Sequence, residues 1–362
     1  MTIAPLSRSC LHVLLAMGLV LGLCQCSEPV DRRSDEATPL PTLAGWTESA
    51  STIVLTHGGV GSPPEWSREC QAGADWAALA LDEDSPALDA AVVGTVFMEN
   101  ICRFNAGSGA NIRLDGKTVQ MDAAVMNSDG QFAAVAVIER VRNPVAVARA
   151  LLETPHRLLA GDGATRFAHR LGFEDVTPNC PEAQTKYRQR IRWLLTAAQE
   201  TEYENFDWRR YWNYDAEIPT LASLPPDSGV ATESSAKEND TVGTVTRDRH
   251  GRFAATLSTG GTSFTLSGRV GDVPIYGCGG FAGPAGAVAC TGYGEEIIRQ
   301  ALARMVYESL ASGVDAREAV RRAAADFPSG NAVGIIAIGR DGWGVAANRR
   351  MAFGVAVSPP VP

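Results

Sequence analysis

The sequence has no surplus of positive charge. Against 32 lysines and arginines stand 41 aspartates and glutamates, for a net charge of −9. Nucleic-acid binding wants a basic face, so this balance gives it no support. None of the eight cysteines forms a C-x-x-C pair, which argues against a zinc site. Cys10, Cys24 and Cys26 fall in the N-terminal segment. The other five, Cys70, Cys102, Cys180, Cys278 and Cys290, are an odd number and read mostly as small buried hydrophobes. One disulfide stays open to them in an oxidising compartment. The apolar run from Leu11 to Leu23 stops at 13 residues, short of the roughly 20 that a spanning helix needs.

What is present is ordinary globular composition, 45% hydrophobic and 20% charged over 362 residues. That length suits one large domain or two small ones. Arg8 before the apolar run, and the run itself, fit a signal peptide over residues 1–26. The run ends in Cys24-Gln25-Cys26-Ser27, which resembles a bacterial lipoprotein signal with a lipid anchor on Cys24 or Cys26. Leu23 and Gln25 stand where a small residue is usual. The expected location is therefore exported, either periplasmic or membrane-anchored. Residues 27–45 are polar and proline-rich and read as a tether.

Strands and helices both occur beyond it. Ser51 to Thr56 is a β-branched run, followed by a loop, His57-Gly58-Gly59-Val60-Gly61. Helical spacing marks 64–81, 86–102, 164–171 and 181–200, and Asn143-Pro144 opens a helix to about Leu152. Asn111 to Met126 reads as a hairpin turning at Asp115-Gly116, and Phe132 to Val141 as a strand. Residues 221–240 carry no apolar periodicity and read as a flexible loop, a place where chains are cut. Structure resumes at Thr241, with strands 241–247 and 253–259. After a glycine-rich stretch come helices 295–311 and 315–326, then strands 333–338, 344–347 and 351–357. Strands, helices and strands again in each half suit two packed sheets with helices outside.

A threonine that opens a buried strand is normally just a β-branched residue. Here it ends an unpatterned loop and leads a series: Thr241-Val242-Gly243, Ser258-Thr259-Gly260-Gly261, Gly268-Arg269-Val270-Gly271-Asp272 and Cys290-Thr291-Gly292-Tyr293-Gly294-Glu295. The first half adds His57-Gly58-Gly59, Leu88-Asp89-Ala90, Phe104-Asn105-Ala106-Gly107 and Leu114-Asp115-Gly116 with Asp122-Ala123 beyond. In order and spacing, over about residues 50–350, this resembles the plant-type asparaginase and isoaspartyl-peptidase family, N-terminal-nucleophile (Ntn) hydrolases related to glycosylasparaginase.

The resemblance implies an α+β fold, the four-layer αββα sandwich of the Ntn-hydrolase type. It implies a precursor that cuts itself between Asp240 and Thr241 into an α subunit (46–240) and a β subunit (241–362), which assemble as a dimer of αβ heterodimers. Thr241 then becomes the nucleophile toward small β-aspartyl substrates, with Thr259 orienting it. Arg269 holds the substrate's α-carboxylate and Asp272 its α-ammonium, while Thr291 and Gly292 form the oxyanion hole and Gly294 borders the substrate. No cofactor is required for catalysis. A structural sodium loop is implied at Met98, Glu99, Ile101, Phe104, Ala106 and Ser108, with backbone carbonyls doing most of the coordination. His57, His156 and His250 are not expected to be the base.

Elementary chemistry agrees with these roles. An N-terminal threonine has its own amine as base. A guanidinium matches a carboxylate in two-pronged fashion. Thr-Gly before a helix offers free N–H groups to an oxyanion. Taken singly, Arg269 with Asp272 reads as a structural salt bridge, and Thr291-Gly292 as a helix cap.

The sequence also departs from the family. Asp240 stands where asparaginase-type members carry glycine and glycosylasparaginases carry aspartate. Asn239 replaces a frequent histidine, Val273 a usual serine, and Tyr293 is large for its position. Gly260-Gly261 favours isoaspartyl peptidase and L-asparaginase activity, whereas Asp240 and export favour a glycosylasparaginase-type amidase. A different class also fits: an uncleaved lipoprotein that binds amino acids or peptides through Arg269 and Asp272.

Overall fold

The computed structural model describes residues 52–82, 85–196, 212, 217–224, 241–262 and 265–358. The expected signal peptide, its cysteines, the tether, Asp240 and residues 225–240 lie outside the described residues.

In chain order the strands are β1 Thr52–Val60, β2 Met121–Asn127, β3 Phe132–Ile138, β4 Leu158–Ala160, β5 Val242–Arg247, β6 Phe253–Thr259, β7 Gly280–Gly283, β8 Gly286–Gly292, β9 Val333–Gly339, β10 Trp343–Ala347 and β11 Met351–Ser358. The helices are α1 Ser67–Asp82, α2 Ala87–Glu99, α3 Pro144–Leu151, α4 Gly161–Arg170, α5 Pro181–Thr196, α6 Gly294–Gln300, α7 Leu302–Ala311 and α8 Ala316–Ala325. A seven-stranded sheet runs β11-β1-β5-β6-β2-β3-β4, and a four-stranded sheet β10-β9-β8-β7. Neighbours pair antiparallel except β3 and β4, which are parallel. This is a mixed α and β fold.

Successive strand residues point to opposite faces, and the core follows that alternation. Ile53, Leu55, Val245, Ala255 and Leu257 of the larger sheet share a cluster with Val288, Ile336 and Ile338 of the smaller one. The same cluster takes Leu302, Val306 and Leu310 of α7 and Val320 of α8. From the other face of the larger sheet, Val54 packs with α1 and α2, and Val125 and Val135 with α2, α3 and α4.

α2 is apolar nearly all round and correspondingly buried. It fixes the hairpin of β5 and β6 through hydroxyls. Thr95 Oγ1 donates to Thr244 Oγ1 at 2.9 Å and lies 2.7 Å from Thr256 Oγ1. Thr246 Oγ1 donates to the Ala87 carbonyl at 2.7 Å. That hairpin carries Thr241 at one end and Thr259 at the other.

Several elements differ from their sequence reading. The expected loop at His57-Gly58-Gly59 belongs to β1, which continues to Val60 through an irregularity in its pairing with β11. The turn at Asp115-Gly116 exists, with Asp115 Oδ1 accepting from the N–H of Lys117 and Thr118. Its arms do not form a hairpin, because β2 pairs with β3 instead. The expected helix 295–311 breaks at Ala301, whose φ is 48°. The break lets the N–H groups of Ala303 and Arg304 reach the carbonyls of Cys278 and Gly277, satisfying donors that a helix start leaves open.

Cys102 and Cys180 form a disulfide, while Cys70, Cys278 and Cys290 are free and buried. The bridge ties the loop after α2 to the start of α5 across 78 residues. Cross-linking a long loop restricts the unfolded chain. Cys102→Ser is therefore expected to lower stability by about 2–4 kcal/mol, read by chemical denaturation with and without reductant.

Candidate active site

The ends of β5, β6 and β8 meet at one edge of the two sheets. A cleft there is lined by Asn105, Thr241, Thr259, Gly261, Thr262, Arg269, Asp272 and Gly292. Thr241 immediately precedes β5 and Thr259 ends β6. Alternation puts Thr241 in line with Gly243 and Val245, and Thr259 in line with Leu257 and Ala255, toward the smaller sheet. Thr241 Oγ1 donates to Thr259 Oγ1 at 3.2 Å. The Thr259 oxygen also accepts from the Gly261 N–H at 3.0 Å. With its acceptor sites so engaged, the Thr259 hydroxyl keeps a proton to donate.

Backbone packing holds the glycines of this edge. Gly261 has φ +77°, a left-handed value open chiefly to glycine, and a side chain there would meet Arg113 Nη1 at 2.9 Å. Asn105 Nδ2 and Asn111 Nδ2 donate to the Gly261 carbonyl at 2.6 and 2.8 Å. The Gly260 N–H donates to the Asn105 carbonyl at 2.9 Å, and Arg113 Nη1 to the Gly260 carbonyl at 3.0 Å. Arg190 of α5 supports Asn111 in turn, donating to its Oδ1 at 2.8 Å.

Arg269 and Asp272 come from the loop between β6 and β7. Arg269 Nη2 and Nε donate to Glu295 Oε1 at 2.9 and 3.1 Å. Asp272 is buried, and its Oδ2 has no hydrogen-bond partner. Burial pushes this carboxyl up to about 7, against the pull of the Arg269 guanidinium. Asp122, paired with Thr259 across β2 and β6, accepts from the N–H of Gly271 at 2.9 Å and of Val137 at 2.8 Å. It thereby fixes the loop that carries Arg269 and Asp272.

Gly294, the first residue of α6, lies against both charged groups. A Cβ there would stand 2.7 Å from Arg269 Nη2 and 2.8 Å from Asp272 Oδ1. Gly294→Ala is expected to raise KM roughly tenfold, about 1.4 kcal/mol of lost binding, while a fragment beginning at Thr241 still forms. Steady-state kinetics with mass analysis of the same sample check both halves.

Of the expected site residues, Thr241, Thr259, Arg269, Asp272 and Gly292 line one cleft. Thr291 is fully buried one residue back on β8, where its Oγ1 accepts from the Val60 N–H at 3.3 Å. Thr291 and Gly292 close β8 rather than capping a helix. Gly292 has φ +143°, and a side chain there would strike the Ala332 carbonyl. Neither Val273 nor Tyr293 is among the lining residues.

The Met98–Ser108 loop passes behind the cleft. The carbonyls of Met98, Ile101 and Ala106 accept N–H groups from Ile101, Phe104 and Gly109, and those of Glu99 and Phe104 crowd Gly107 and Gly109. Oxygen donors of this kind fit a hard cation. The Glu99 carboxyl is already engaged by the Val145 N–H and Asn143 Nδ2, both at 3.0 Å, and burial pushes it up to about 7.

The sequence assigned no site role to Asn105, Gly261, Thr262 or Glu295, although all but Thr262 stand within its motifs. Nothing in the sequence brings Glu295 to Arg269.

A cleft that sets two threonine hydroxyls beside an arginine and an aspartate suits the class of hydrolases that use a threonine hydroxyl. The chain belongs to the asparaginase family, whose pattern matches residues 53–358. It is 35% identical to the isoaspartyl peptidase/L-asparaginase of Danio rerio over 277 residues, 74% of this chain and 78% of that protein. It is 35% identical to the plant-type L-asparaginase of Pyrococcus furiosus over 261 residues, 71% and 78% of the two chains. Over 269 residues it is 36% identical to the isoaspartyl peptidase of Escherichia coli, 72% and 75% of the two chains.

Proposed function

We propose that this chain is the precursor of an isoaspartyl peptidase and L-asparaginase that cuts itself before Thr241. The observation that carries the reading is the Thr241 hydroxyl, bonded to Thr259 in the cleft that also holds Arg269 and Asp272. In the precursor, Thr241 Oγ attacks the Asp240 carbonyl carbon, and the peptide nitrogen leaves as the new amine. Water hydrolyses the resulting ester, which leaves Asp240 with a carboxylate and Thr241 with a free N-terminus.

In the mature enzyme that amine takes the Thr241 hydroxyl proton as Oγ attacks the substrate's β-carbonyl. The Gly292 N–H and Thr291 stabilise the oxyanion. The leaving ammonia or amine departs with the proton, and water then releases aspartate from the acyl ester. Arg269 meets the α-carboxylate by exchanging its bond to Glu295. Asp272, with an unpartnered oxygen, meets the α-ammonium.

The same reading includes helices outside two stacked sheets, a dimer of αβ heterodimers, export behind residues 1–26 with a lipid anchor, and a sodium ion held by the Met98–Ser108 carbonyls. The bound ion would supply only a fixed loop shape behind Asn105. Mass analysis and N-terminal sequencing of the full chain test both processing sites. An intact chain with no N-terminus at Thr241 would overturn the proposal. Side-by-side hydrolysis of an isoaspartyl dipeptide and a glycosylated asparagine tests the substrate, and preference for the second would replace it with the glycosylasparaginase reading.

A further inference from the structure

The mechanism above leaves one buried imidazole beside the nucleophile without a task. His57 lies in β1, directly across from Gly243 of β5, and is fully buried. Neither ring nitrogen makes a well-formed hydrogen bond. Burying polar atoms without partners opposes folding, so an apolar residue of the same size would be the stable choice for a purely structural position.

Two observations tie the ring to Thr241. The first is steric. A side chain at Gly243 would collide with His57 Nε2, and it would also press on Ala289 Cβ at 3.3 Å from the smaller sheet. The imidazole thus occupies the space beside the second residue after Thr241. The second is electrostatic. Burial drives the ring down to about 3, opposed by the Thr241 main chain, which favours the protonated form. That is how an imidazole N–H behaves when it faces a carbonyl oxygen. The neutral ring carries one such N–H, and at this depth it stays neutral.

A neutral, desolvated imidazole is a poor base, so proton abstraction is the wrong task for it. Holding is the task that fits. Thr241 precedes β5, and its pairing partner β1 is irregular just past His57. Once the chain is cut, Thr241 has no residue before it, and its hydroxyl must still stay on Thr259 at 3.2 Å. We propose that His57 is a positioning residue for the mature nucleophile, filling the space over Gly243 and presenting its ring N–H to the Thr241 carbonyl so that the freed N-terminus keeps its place. This rests on the proposed role of Thr241.

The roles of substrate grip and positioning separate kinetically. In the proposed mechanism Arg269 and Asp272 grip the substrate and so set KM. His57→Leu keeps most of the volume and removes the N–H, whereas His57→Gln keeps an amide donor. The full-length precursor carrying each substitution is expressed, its processing followed by mass, and the mature fraction assayed with an isoaspartyl dipeptide. With His57→Leu, kcat is expected to fall by on the order of a hundredfold, the loss typical of a small misplacement of a reacting group. KM should stay within about twofold, and His57→Gln should recover part of kcat.

A His57→Leu enzyme with kcat within twofold of wild type overturns the inference. So does a loss carried by KM, or one that His57→Gln leaves unrepaired. Nitrogen-15 histidine spectra of the mature wild type provide a measurement that survives a poorly folding variant. They should show a neutral His57 ring whose N–H proton shifts when aspartate binds, and an unmoved or charged ring counts against positioning. A wild type that is never cut, or cut but inactive, overturns the proposed function instead.

Discussion

Thr241→Ala is expected to yield one uncut chain with no measurable hydrolysis, a loss of roughly 10,000-fold or more in kcat/KM. The size follows from the double use of one atom. In the proposed mechanism Thr241 Oγ first opens the bond to Asp240 and then attacks each substrate, so its removal blocks the second step twice over. The substitution should leave the fold standing. It removes a methyl group and a single hydrogen bond to Thr259, together worth about 1–2 kcal/mol. A melting curve close to wild type, with a mass near 38.3 kDa less any signal peptide, is the expected pair of readings. Thr241→Ser keeps a hydroxyl and should still be cut. If Thr241→Ala were processed at the same bond, the nucleophile would have to be sought elsewhere in the cleft.

The sequence exposes the hairpin that carries this chemistry because its residues announce a strand. Thr-Val-Gly-Thr-Val-Thr is β-branched at every position but the glycine, and β1, β3, β9 and β11 show comparable runs of valine, isoleucine or phenylalanine. β7 and β8 are hidden for a physical reason. They are mostly glycine and alanine, with Phe281, Val288, Cys290 and Thr291 among them, and their space is filled by neighbours: Leu257 lies where a side chain at Gly280 would sit, and Tyr307 where one at Gly283 would. The break at Ala301 carries no glycine or proline to mark it, because tertiary hydrogen bonds to the 277–278 carbonyls make it. The disulfide joins residues 78 apart, which only the folded chain brings together.

The site divides the same way. The motifs hold every lining residue but Thr262, and the family resemblance gave a role to five of them, Thr241, Thr259, Arg269, Asp272 and Gly292. Asn105 enters because the loop after α2 folds against the end of β6, and Glu295 because the first turn of α6 lands beside Arg269. Both are consequences of packing between segments far apart in sequence.

Asp272 supplies the second large effect. Its carboxyl is pushed up to about 7 by burial, so the free enzyme holds a neutral acid there at pH 6 and an anion at pH 8. Only the anion matches a substrate ammonium. Affinity for aspartate should therefore fall about tenfold per pH unit as pH drops below 7. Aspartate binding is the right measurement, because kcat also senses the protonation of the Thr241 amine, the base of the proposed mechanism. Asp272→Asn should abolish this pH dependence and weaken binding at pH 8 by roughly a hundredfold to a thousandfold, as expected for loss of one partner of a buried charge pair. Stability should move the other way. A folded value of about 7 against 3.8 unfolded means that the native state holds this proton more tightly. The stability it contributes is full below pH 4 and is lost as pH rises through 7. Asp272→Asn cannot ionise, so in the absence of ligand it should melt above wild type at pH 8, with the gap closing toward pH 5. Binding of aspartate should narrow that gap in the wild type by giving the buried anion its partner. A variant that binds aspartate with wild-type pH dependence, or melts below wild type at pH 8, would remove Asp272 as the ammonium site.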